Sequence, residues 1–72
     1  MEKLLEFQLQ GHPFVELDDL LKLTGVCDTG GMAKTAIGEG RVTVDGAVEL
    51  RRRRKIRAGQ TVEFGGVAIA IR

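Results

Sequence analysis

The chain has 72 residues with 11 Lys and Arg against 10 Asp and Glu, a net charge of +1 and an isoelectric point near 7.9, so overall charge alone signals no polyanionic partner. A chain this short makes one domain and buries only about 60% of the surface it exposes when unfolded, which argues against a deep substrate cavity. The single cysteine, Cys27, excludes an internal disulfide and points to a reducing compartment; with no apolar run near the ~20 residues of a membrane span and no signal-peptide pattern at its start, a soluble cytoplasmic protein is expected.

The first element, LLEFQLQG, alternates. Leu5, Phe7 and Leu9 face one way and Glu6, Gln8 and Gln10 the other, the period of a half-buried strand, which Gly11, His12 and Pro13 close. VELDDLLKLTG then places Leu17, Leu20, Leu21 and Thr24 at helical spacing, with acidic residues in the first turn, where the helix dipole favours them, and Gly25 as a left-handed cap. TGGMAKTAIGEG predicts a second helix capped by Thr29, with a narrow stripe of Ala33, Ala36 and Ile37 and a stop at Gly40. Gly30, Gly31 and Gly38 weaken it by propensity and suggest close approach by the first helix or by a ligand backbone. In RVTVDGAVEL, Val42 and Val44, an Asp45-Gly46 turn, then Val48 and Leu50 predict a hairpin with a type I′ turn. TVEFGGVAIAIR repeats the design around Gly65-Gly66, with Val62, Phe64, Val67, Ile69 and Ile71 facing in. The expected fold class is α+β: two helices packed on a small, mostly antiparallel sheet.

Between the hairpins lies RRRRKIRAGQ, where Ile56 is the one residue expected to be buried. Six cations in residues 51–57 dominate an asymmetry that the total conceals. Residues 1–33 hold two basic and six acidic side chains, net −4, whereas residues 34–72 hold nine and four, net +5. Such a split points to an interaction surface. The plain alternative is a solvated loop whose charges only aid solubility.

The segments VELDDLLKLTGV, TGGMAKTAIGEGRVTVDGAVEL and KIRAGQTVEF, together spanning roughly residues 15–64, resemble the S-four-type RNA-binding domain, also known as the alpha-L RNA-binding motif. The most specific match is GRVTVDG, similar to that family's Gly-x-Val-x-Val-Asn-Gly segment; with no catalytic domain attached, the chain looks like the family's small stand-alone bacterial members, the YbcJ-like group. Where the family usually opens its second helix with Ser-Arg and continues with Ala-Arg, this chain has Thr29-Gly30 and Ala33-Lys34, so the cap and one cation are kept and one arginine is lost. Asp45 replaces the turn Asn, and Gly59-Gln60 replaces a Gly-Asp pair.

The resemblance implies an RNA surface running from the second helix to the first hairpin. Cations that reach one face serve phosphate, and Arg adds a planar fork suited to its oxygens. The candidate RNA-binding residues are Thr29, Lys34, Arg41, Arg51, Arg52, Arg53, Arg54, Lys55 and Arg57. The chain has no Trp or Tyr, and Phe7, Phe14 and Phe64 read as core residues. That lack of exposed aromatic platforms favours structured RNA over single strands, and the resemblance implies ribosomal or transfer RNA first. A lone His12 and a lone Cys27 fall short of a catalytic pair or a zinc set, so the expectation is a monomeric, non-catalytic RNA binder with no cofactor, no metal and no membrane contact. The competing reading is a protein-binding adaptor that turns the same basic loop towards an acidic partner.

Overall fold

The computed structural model describes residues 3–72. The alternation at the start becomes β1, Lys3–Phe7, with Leu5 and Phe7 half-buried and Leu4 and Glu6 exposed. It pairs in parallel with the last strand, β7 (Val67–Ile71), from Lys3↔Val67 to Phe7↔Ile71. β7 pairs antiparallel with β6 (Thr61–Phe64), which pairs with β3 (Thr43–Val44), and β4 (Ala47–Val48) closes the far edge. The five-stranded order is β1-β7-β6-β3-β4. Both hairpin turns have positive φ at their two central residues, Asp45 (50°) with Gly46 (84°) and Gly65 (57°) with Gly66 (82°), as a type I′ turn requires.

Helix α1 spans Leu17–Leu23 and helix α2 spans Gly30–Gly38. Leu17, Leu20 and Leu21 of α1 and Ala33, Ala36 and Ile37 of α2 join Val42, Val44, Ile56, Val62, Ile69 and Ile71 in one core. The Thr29 hydroxyl accepts the Met32 N–H at 3.1 Å and caps α2. At its other end Gly40 adopts φ 75°; the Gly40 N–H donates to Ile37 O and the Arg41 N–H to Ala36 O, a Schellman closure that aims the chain into β3.

Three expectations need correction. Val15 and Glu16 lie outside the helix, as a short strand β2 paired antiparallel with β5 (Lys55–Ile56). That pairing brings the cationic segment onto the start of α1, where the Leu17 N–H donates to Arg54 O and the Asp18 N–H to Arg52 O, each at 2.9 Å. Backbone carbonyls of the loop therefore do the capping that no side chain does there. Second, Val48 and Leu50 are 59% and 62% exposed. Glu49 is the residue turned inward, and on an extended segment its neighbours must then face outward. Third, a Cβ at Gly30 or Gly38 would meet nothing within 4 Å, and one at Gly31 only the Thr29 hydroxyl at 3.7 Å, so α1 does not approach α2 through these glycines. The buried face of α2 is Ala33, Ala36 and Ile37 instead.

Candidate nucleic-acid interface

Glu49 organises the basic loop. Only 8% exposed, its carboxylate accepts from Arg51 Nε at 3.0 Å, Arg51 Nη2 at 3.2 Å, the Arg51 backbone N–H at 3.0 Å and Arg54 Nη1 at 2.7 Å. The Arg51 side-chain hydrogen bonds first, and then its backbone N–H, pull the Glu49 carboxyl down to about 2, against the opposing effect of burial. Glu49 in turn raises the Arg51 guanidinium. The Arg54 N–H donates to Arg51 O at 3.1 Å, closing a turn across the four arginines. A run of like charges would otherwise splay apart; one carboxylate shared by two of the four arginines, and a turn, hold it in a fixed shape.

That shape is concave. Arg51, Arg52, Arg53, Arg54, Lys55, Arg57 and Gln60 line an open hollow of about 1130 Å³. Arg51 and Arg54 are spent partly on Glu49. Arg52 and Arg53 are exposed and have no ion pair among the described residues. On the far side, Lys55 Nζ lies 5.0 Å and the Arg57 guanidinium 5.7 Å from the centre of the Phe14 ring, an attraction between cation and ring quadrupole. The Gln60 side chain accepts the Arg57 N–H at 2.8 Å and donates to the Asp45 carboxylate at 3.4 Å, linking the hollow to the first hairpin. Asp45 also accepts the Thr61 N–H at 2.9 Å. A wall of one charge sign around a hollow focuses potential and attracts anions.

The remaining predicted residues stand apart from this hollow. Arg41 lies 5.4 Å from the centre of the Phe64 ring and 3.5 Å from Glu39, beside a smaller groove of about 320 Å³ between that ring and Gly31, Met32 and Thr35 of α2. Lys34 is exposed on α2, has no ion pair among the described residues and lines neither concavity. The Thr29 hydroxyl is occupied as a helix cap. Sequence reasoning missed Glu49 and Phe14. The signal for Glu49 was present, since it is the one carboxylate between Asp45 and Glu63. Phe7 and Phe64 pack half-buried against the core, as expected, whereas Phe14 is half-buried beneath Lys55 and Arg57.

The other reactive groups lie elsewhere. Cys27 is packed into the core, and burial first, then the Asp28 charge, push its thiol up, away from the thiolate that nucleophilic chemistry needs. His12 is exposed in the turn before β2. Glu16, Asp18 and Asp19 bring three carboxylates within 4.8 Å of one another at the start of α1, opposite in sign to the arginine turn whose carbonyls cap that helix.

Comparison with known proteins agrees with this architecture. A family model described as S4 domain matches residues 7–72. YbcJ of Escherichia coli (strain K12), named as a candidate RNA-binding protein, is 58% identical over 65 residues, covering 90% of this chain and 93% of that protein. RlbA of Bacillus subtilis (strain 168), named as a candidate ribosome maturation protein, is 40% identical over 52 residues, 72% of this chain and 73% of its own length. The solution structure of YbcJ from E. coli, described as revealing an αL motif involved in RNA binding, matches with a TM-score of 0.72 and 57% identity over 92% of this chain and 84% of that one. On the family match, the identities and the shared fold, the chain belongs to the S4 domain family.

Proposed function

We propose that this protein binds structured RNA, ribosomal or transfer RNA, as a single non-catalytic domain in the cytoplasm. The observation that carries the reading is the arginine hollow: six cations around one concavity, held in shape by Glu49, with Arg52 and Arg53 left without ion pairs among the described residues. Such a surface suits a phosphate backbone, whose contacts position a protein without reading sequence. The names borne by the YbcJ and RlbA relatives support the same direction. Arg41 and Lys34 extend the cationic surface onto the Schellman corner and α2, while Thr29 serves it indirectly by capping that helix.

Gel-shift titration of the full chain against ribosomal and transfer RNA fragments at low salt tests this reading, with retarded complexes expected at micromolar protein. No shift of any RNA would overturn it. Co-purification with and without RNase separates the adaptor alternative: a partner lost on digestion fits RNA, and a protein partner that survives digestion fits the adaptor.

A further inference from the structure

We infer that the groove lined by Phe14 receives a single unpaired nucleobase whose phosphate lies in the arginine hollow, an inference that rests on the RNA-binding reading above. Phe14 is half-buried, with Lys55 and Arg57 over its ring, and both of these cations line the hollow. The same phenylalanine lines a separate groove of about 410 Å³ with Phe7, Gln8, Gln10, His12 and Asp19. That volume lies in the range of about 300 to 1,000 Å³ typical of small-molecule sites. It is far too small for a duplex.

The chemistry of the hollow and of the groove is opposite. The hollow is cationic, whereas Glu16 and Asp19 line the groove, so a phosphate is favoured in the first and repelled from the second. A base carrying N–H donors fits the groove: carboxylates accept from an exocyclic amine, as from the N4 amine of cytosine. The amides of Gln8 and Gln10 each offer both a donor and an acceptor, and both side chains are exposed there. Gln10 moreover adopts φ 54°, a left-handed conformation uncommon outside glycine, at the lip of the groove. Phe7 and Phe14 supply aromatic surface for stacking. A nucleotide has the matching polarity, with its anionic end and its N–H-rich end joined by a short linker. The occupant is an extrahelical base of a structured RNA, a bulge or a loop residue.

The test compares two fluorescent RNA hairpins, identical except for one bulged cytidine, by anisotropy at fixed salt. Wild type should bind the bulged hairpin roughly tenfold more tightly than the fully paired one, in line with the cost of losing a base–aromatic stack. Phe14→Leu keeps apolar volume but removes the ring, and should bring the ratio near one while leaving the salt dependence intact, because Lys55 and Arg57 remain. If that variant unfolds by circular dichroism, Gln8→Ala with His12→Ala, at exposed positions, should still reduce the ratio at least threefold. Equal binding of both hairpins by wild type, or a ratio unchanged in a folded Phe14→Leu or in the double variant, would overturn the base site alone. Failure to bind either hairpin would overturn the RNA reading and the base site with it.

Discussion

Replacing Arg52 and Arg53 by Gln, and separately Arg51 and Arg54 by Gln, removes the same two charges from adjacent positions of one turn. Long-range attraction to RNA falls equally in both variants, so any difference between them comes from geometry. Arg52 and Arg53 have no ion pair among the described residues. If each contacts one phosphate, the slope of log affinity against log salt should flatten by roughly 0.7 to 0.9 per residue, or about 1.4 to 1.8 for the pair. Their loss should leave stability within about 0.5 kcal/mol of wild type. Removing Arg51 and Arg54 instead strips both guanidinium partners from a carboxylate that is only 8% exposed. Breaking a fully buried pair costs about 3 to 5 kcal/mol. The Arg51 side chain is 73% exposed, so solvent screens its share; the Arg54–Glu49 pair, with side chains 34% and 10% exposed, is the main loss, worth about 1 kcal/mol. In a domain of this size each kcal/mol moves the melting temperature by roughly 4 to 8 °C, so this variant should melt about 4 to 8 °C lower. With no Trp or Tyr, far-ultraviolet circular dichroism is the readout for melting, alongside anisotropy at four or five salt concentrations. Equal slopes and equal melting in the two variants would refute the division of labour that Glu49 imposes.

Acid should act through the same carboxylate. Glu49 is held at about 2, below its ordinary 4.5, so its ion pairs stabilise the fold fully above pH 4.5 and that contribution fades as pH falls towards 2; melting curves of wild type and Glu49→Gln, separated at pH 7, should converge near pH 2. Thr29→Ala removes the α2 cap and should cost about 1 kcal/mol without changing the salt slope, measured by the same two assays. Lys34→Glu should weaken RNA binding in gel shifts and leave the melting temperature almost unchanged, because the side chain is exposed and outside any ion pair among the described residues. Gly40→Ala should lower the melting temperature, since φ 75° strains an alanine although its Cβ would only touch Val48 Cγ1 at 3.6 Å.

Local chemistry explains what could be read before any coordinates. Asp45-Gly46 and Gly65-Gly66 fix their turns through backbone preference alone, and the apolar spacing of Leu17, Leu20 and Leu21 needs only a core to face. The pairing of Val15 and the cations over Phe14 depend on residues far along the chain, whereas Glu49 is held by near neighbours. Nothing near Val15 announces its pairing with Ile56, 41 positions on. The inward turn of Glu49 breaks the apolar alternation of Val48 and Leu50, and its reason lies in Arg51 and Arg54 rather than in strand propensity. Phe14 looks like core until Lys55 and Arg57 are seen over it. As for the site, the sequence marked the cationic run as a unit but could not divide it into arginines that build the loop and arginines that remain available.

Seating of RNA phosphate in the arginine hollow is the proposed mode of binding. Its most direct test is nuclear magnetic resonance: a 15N-labelled full chain titrated with a ribosomal RNA hairpin at low salt, following backbone amides and arginine side-chain N–H signals together. The largest shifts are expected at Arg52 and Arg53, then at Lys55, Arg57 and Gln60 around the same hollow, with smaller changes at Lys34 and Arg41. Saturable shifts confined to β1 and the acidic start of α1, with the signals of residues 51–57 unmoved, would contradict it.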